Sequence, residues 1–176
     1  RISEGGLKNI HGTPYYSAFE ACVQSVMASF NSWNGVKMHG HEYLLTDVLR
    51  DQMGFNGLVV GDWNGHGEVP GCTNANCPES FNAGVDIYMA PDEWKELYTN
   101  TVRAVKSGDI SEDRLDDAVR KILTVKDRLG MLDGRKPHEY ENYVGKIEHR
   151  ELAREAVSKS LVLLKNNDNL LPLDST

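Results

Sequence analysis

The feature that most constrains this chain is a repeated alternation of short, nearly continuous apolar runs with longer amphipathic stretches. Val23–Ser29, Leu58–Gly61 and Val85–Met89 are runs of the first kind, bounded by glycine or proline. Runs that are apolar on both faces suit parallel strands covered on each side, not half-solvated hairpins. Between and after them, His41–Met53 carries Leu44, Leu45, Val48, Leu49 and Met53 on one helical stripe, and Gly54 can close it. Glu93–Ser107 repeats the pattern through Trp94, Leu97, Thr101, Val102 and Val105, ending at Gly108. Ser111 reads as an N-cap, with Glu112 and Asp113 in the first turn, opening a helix that runs to Gly130. Strand and helix in alternation imply βαβ units and a parallel sheet. Gly134–Lys146 is polar and aperiodic and reads as a linker. Glu151–Ser160 is then expected as a helix, Leu161–Lys165 as a strand, and Asn166–Asn169 as a turn.

The chain has 176 residues and a formal charge of −7, with Lys and Arg dispersed among Asp and Glu. No basic cluster is present to engage phosphates, so a nucleic-acid partner is not expected. The apolar runs are far too short to cross a bilayer as helices. It begins at Arg1 and breaks off after the apolar stretch near Leu170, so both ends are expected to continue into a longer polypeptide.

Of the three cysteines, Cys72 and Cys77 share a Gly/Asn/Pro-rich loop and are candidates for a small disulfide. Such a bond points to a periplasmic or secreted protein, with a cytoplasmic location still open. His66 is the nearest further metal ligand, but the ligand count is too low and no metal site is expected. Cys22 reads as a buried small hydrophobe.

Chemistry concentrates in Gly57–Gly67, G-L-V-V-G-D-W-N-G-H-G. An apolar strand delivers Asp62 at its carboxyl end, which is where parallel α/β folds gather their active sites. Trp63 offers a flat face to a sugar ring. From the residues alone, Asp62 serves equally well as an Asx cap of the turn.

The motif G-L-V-V-G-D-W resembles the nucleophile motif of family 3 glycoside hydrolases, in which an Asp-Trp pair ends a strand of a (β/α)₈ barrel. V-M-A-S-F-N-S-W-N-G-V-K-M at Val26–Met38 resembles the preceding strand and loop of that family, and A-G-V-D-I-Y-M-A-P at Ala83–Pro91 the last barrel strand. R-L-D-D-A-V-R-K-I-L at Arg114–Leu123 resembles the closing helix, and His149–Asn166 the entry into a second α/β domain. The resemblance implies an α/β fold: the last three βα units of a TIM barrel over residues 1–133, a linker at 134–148, and the start of a second domain at 149–176.

It further implies a retaining glycosidase with Asp62 as nucleophile and Trp63, Met27 and Phe30 around the bound sugar. Phe30 departs from the tyrosine common in the family and lacks a hydroxyl to reach the nucleophile. The implied substrate is a β-linked glucoside or short β-glucan, hydrolysed from the non-reducing end without a cofactor. β-Xylosidase and N-acetylhexosaminidase activities within the same family are alternatives, as is a non-catalytic carbohydrate-binding remnant. His39 and His41 flank a helix start. His66 and Glu68 lie in the loop after Asp62 as weaker acid/base candidates, Asp86 is expected to hold backbone, and Trp33 to pack. No second carboxyl group is assignable within the sequence. The remainder of the polypeptide is therefore expected to be required for activity.

Overall fold

Parallel pairing of the apolar runs organises the first part of the structure. The computed structural model describes residues 1–134 and 143–173 and divides into two compact units, Arg1–Arg135 and Lys136–Thr176. In the first, a short turn α1 (Glu4–Gly6) and helix α2 (Thr13–Glu20) precede strand β1 (Ser25–Met27). A hairpin follows, β2 (Ser32–Trp33) and β3 (Val36–Lys37), then a 3₁₀ turn at Met38–Gly40 and a π-helical segment at Tyr43–Gln52. Strand β4 (Leu58–Trp63), a 3₁₀ turn at Gly65–Glu68, helix α3 (Pro78–Asn82) and strand β5 (Ile87–Met89) come next. Helices α4 (Trp94–Ser107) and α5 (Glu112–Arg128) complete the unit.

The sheet order is β1-β4-β5, all parallel, with β4 in the centre. Ser25, Val26 and Met27 pair with Leu58, Val59 and Val60. β1 is shorter than the Val23–Ser29 run, because Cys22 adopts φ 60° and Val23 N–H turns back to Ala18 O. β4 is longer than its apolar run and carries Asp62 and Trp63 within it. One face of the sheet packs Val59 and Val85 with Ala28, Leu45, Leu49, Phe55 and Ala83. Leu45 and Leu49 stand on the stripe expected for a helix there, although that segment is widened to i→i+5 bonding, as in Met53 N–H to Val48 O at 2.9 Å. A second cluster of Phe81, Ala104, Ile110 and Ala118 joins α3 to α4 and α5. Ser111 caps α5 by accepting from Arg114 N–H at 3.1 Å, and Gly108 ends α4 at φ 88°.

Asp86, at the entry to β5, fastens these layers together. Its side chain is 0 % exposed, and Oδ2 accepts from Val59 N–H at 2.8 Å and from Arg50 Nη2 at 2.5 Å. Oδ1 accepts from Arg114 Nη2 at 2.9 Å. One carboxylate thus ties the central strand, the π-helical segment and α5.

In the second unit the described residues form helix α6 (Ile147–Ser160), which starts earlier than the expected Glu151. Most of the expected linker, residues 135–142, lies outside the described residues. The expected strand at Leu161–Lys165 is not formed. A strand needs a neighbour to receive its N–H and C=O groups, and none pairs with this stretch among the described residues, where Leu161–Leu164 are exposed. A 3₁₀ turn occupies Asn167–Asn169.

Removing the Asp86 carboxylate takes the anionic partner from Arg50, one of two from Arg114, and the acceptor from Val59 N–H, in a site largely closed to water. Asp86→Ala is expected to cost about 3–5 kcal/mol of folding stability, read as a lowered denaturation midpoint.

Candidate active site

The carboxyl ends of the three parallel strands present Met27, Asp62 with Trp63, and Met89 along one edge of the sheet. Asp62 is half-buried, and no ion pair among the described residues engages it. Its Oδ1 accepts from Trp63 N–H at 2.7 Å, which holds the carboxylate against its own backbone. This is the Asx-type contact allowed by the sequence, and it leaves the second oxygen unengaged by that bond. Trp63, next to Asp62, is 60 % exposed, and Met27, at the end of the neighbouring strand, is 47 % exposed; Phe30, three residues further on, is 46 % exposed. Lys37 Nζ lies 5.7 Å from the Phe30 ring centre and pairs with Glu68 at 3.2 Å, bridging the hairpin to the loop after Asp62.

Asp62 stands where the ladder slips. Val60 pairs with Ile87 and Trp63 with Met89, so β4 advances three residues while β5 advances two. An irregularity of this kind redirects the side chains at it. Asp62 N–H is instead taken by Nε2 of His39 at 2.8 Å. Asn64 then turns the chain at φ 54°, and its N–H returns to Met89 O at 2.9 Å.

His39 is 2 % exposed and packs against the glycines around Asp62. A Cβ on Gly65 would fall 2.2 Å from His39 Cε1, and one on Gly61 3.4 Å from its ring. Burial lowers the pKa of His39 below the ordinary 6.5; Asp62 pulls it up, while His66 and Lys37 lower it further. The sequence pattern marks His39 only as flanking a helix start. The signal that could find it is the small residues at 61 and 65, which leave room for a bulky group from elsewhere in the chain.

The other candidates separate by their contacts. His66 is 1 % exposed, its Nε2 is 2.8 Å from Asn74 O, and its ring lies 4.8 Å from Tyr88. That contact ties His66 to the loop, with its side chain closed to solvent. His41 is buried against Trp33, whose Nε1 donates to Ile2 O at 3.2 Å. Glu68 is engaged by Lys37. Cys72 and Cys77 are joined by a disulfide that closes the far side of the loop. Together with Glu79 they are the one cluster of metal-ligand residue types among the described residues, but sulfurs bonded to each other are not thiolate ligands. Cys22 is exposed, not buried as its apolar context implied.

Residues 1–125 match the model of the glycosyl hydrolase family 3 N terminal domain. The chain belongs to glycosyl hydrolase family 3. It is 37 % identical to a beta-xylosidase of Formosa agariphila, over 98 % of this chain and 26 % of that protein. It is 35 % identical to a periplasmic beta-glucosidase of Salmonella typhimurium, over 98 % of this chain and 24 % of the relative. Among solved structures, an exo-1,3/1,4-beta-glucanase from a Pseudoalteromonas species superposes with a TM-score of 0.81 at 51 % identity, covering 98 % of this chain and 22 % of that one. The chain thus spans about a quarter of the length of these family 3 relatives.

Two consequences of the site's packing are measurable. Burial also lowers the pKa of His41, against its own backbone hydrogen bond, so both His39 and His41 resist protonation in the fold. Below the ordinary value of 6.5 the unfolded chain binds more protons than the folded one. Stability is therefore expected to be complete above that pH and to fall as pH drops toward the lowered values, followed by denaturant titrations at stepped pH. Gly65→Ala drives a methyl into His39 and is expected to cost about 1–3 kcal/mol, read in the same titration.

Proposed function

We propose that this chain carries the nucleophile of a retaining, exo-acting β-glucosidase that releases glucose from the non-reducing ends of β-glucosides and short β-glucans. The observation that carries the reading is Asp62, half-exposed at the carboxyl end of a central parallel strand, with the uncovered Trp63 next to it and the uncovered Met27 at the end of the neighbouring strand. In this reading Asp62 attacks the anomeric carbon, the glycosidic C–O bond breaks, and a covalent glycosyl-enzyme forms. A second carboxyl group, about 5 Å away, protonates the departing oxygen and then activates the water that frees Asp62. That group comes from outside this stretch, as do further residues that grip the sugar hydroxyls. The hydrolysis needs no cofactor.

The β1-β4-β5 sheet is read as the last part of a (β/α)₈ barrel over residues 1–133, followed by a linker at 134–148 and the opening of a second α/β domain from 149. The two compact units and the family match over residues 1–125 support this division. A periplasmic or secreted location is supported by the Cys72–Cys77 disulfide and the periplasmic relative. The described residues include no helix long and apolar enough to cross a membrane. A xyloside substrate is the second reading, favoured by the Formosa agariphila relative.

A 2-deoxy-2-fluoroglucoside, whose glycosyl-enzyme hydrolyses slowly, tests the assignment on the longest polypeptide that carries this sequence. Peptide mapping is expected to find the sugar on Asp62; a label on any other residue defeats the assignment. No label at all, together with sugar binding by calorimetry, identifies a carbohydrate-binding remnant. Asp62→Ala is expected to lower kcat by at least about 10³-fold. The 176-residue stretch alone is expected to show no turnover, and measurable hydrolysis by it would overturn the need for outside residues.

A further inference from the structure

We propose that His39 is a positioning residue for Asp62, a neutral imidazole whose Nε2 lone pair holds the strand end in its displaced register. The proposal rests on the reading of Asp62 as nucleophile.

A backbone N–H can only donate, so the 2.8 Å contact from Asp62 N requires an unprotonated Nε2. In a neutral ring the proton is then on Nδ1. The slip between Val60/Ile87 and Trp63/Met89 changes the ladder at just this point, and His39 receives the N–H there. Because Asp62 Oδ1 is in turn fastened to Trp63 N–H, the carboxylate and the tryptophan follow the peptide that His39 holds. Ring placement is enforced on two sides by Gly65 and Gly61, and the turn Met38–Gly40 that carries it is seated by Gly40 against Val69.

Protonation of Nε2 would turn an acceptor into a donor facing another donor, and the contact would be lost. The charged and titratable groups around the ring are Asp62, which favours the proton, and His66 and Lys37, which oppose it. Burial opposes it most. The device therefore works in one direction: acid releases the nucleophile's peptide.

Two substitutions separate positioning from bulk. In His39→Gln the amide oxygen reaches the place of Nε2 and accepts the same N–H, but does not titrate. His39→Met fills similar space and accepts nothing useful. With 4-nitrophenyl β-glucoside and the longest polypeptide carrying this sequence, His39→Gln is expected to keep kcat within about threefold, and His39→Met to lose roughly tenfold or more, as for an orphaned buried donor. KM is expected to stay within about threefold in His39→Gln and to rise alongside the fall in kcat in His39→Met, since Trp63 follows the same peptide as Asp62. The acid limb of the kcat profile is expected to move to lower pH in His39→Gln. Equal kcat in the two variants, or an unmoved acid limb in His39→Gln, overturns the proposal.

Should either variant fail to fold, the wild-type protein still decides. Long-range ¹H–¹⁵N correlations of histidine-labelled protein are expected to show one neutral tautomer for His39 at neutral pH, with the proton on Nδ1. A proton on Nε2 overturns the proposal. Labelling by the fluoroglucoside at a residue other than Asp62 overturns the functional reading instead, and the spectrum still decides whether the histidine contact exists.

Discussion

A carboxylate taken out of water has to find its compensation inside the protein, and the way Asp86 does so sets the geometry of the first unit. Arg50, Arg114 and Val59 N–H converge on its two oxygens. The donors come from the π-helical segment, from α5 and from the central strand, so the network cannot form unless all three are correctly docked. Such a network is a weak source of net stability, because desolvation offsets much of the attraction. Its effect is to penalise misdocked arrangements, in which a charge is buried without partners. Arg114 also donates to Phe81 O and Val85 O, extending the same constraint to α3 and the approach to β5.

With β4 fixed in the centre, the strand's last residues are free to do something irregular. The ladder slips beyond Val60, His39 takes the displaced N–H, and the loop turns through Asn64 in a left-handed conformation. Regular pairing would have left the side chains at this edge alternating strictly between the two faces. The displaced register instead brings Asp62 to a half-buried position with Trp63 exposed beside it. The His66–Asn74 contact and the disulfide then restrain the loop that follows.

Much of this is legible in the sequence, for identifiable reasons. The apolar runs announce the parallel strands, and the amphipathic stripes announce α4 and α5, because burial on one face imposes its period directly. The Ser111 cap is readable because capping is local. The hairpin β2–β3 is absent from the expectations, although Asn34-Gly35 at φ 51° and 101° is a two-residue turn signal. His39 escapes a local reading because its meaning lies in glycines more than twenty residues away in the sequence. Leu161–Lys165 has a strand's composition, but composition supplies no partner, and in the structure the segment stays irregular. The functional roles of Asp62 and its neighbours rest on position and family likeness, since a strand-end aspartate has the same local pattern whether it caps or reacts.

The sheet has β4 paired on both sides, while β1 and β5 each pair on one side only among the described residues. Each outer strand, three residues long, therefore has one edge without a strand partner, a template on which another extended chain can pair. Produced by itself, this stretch would tend to stack edge to edge with its own copies, and its handling properties would reflect unmet pairing more than any weakness of the core.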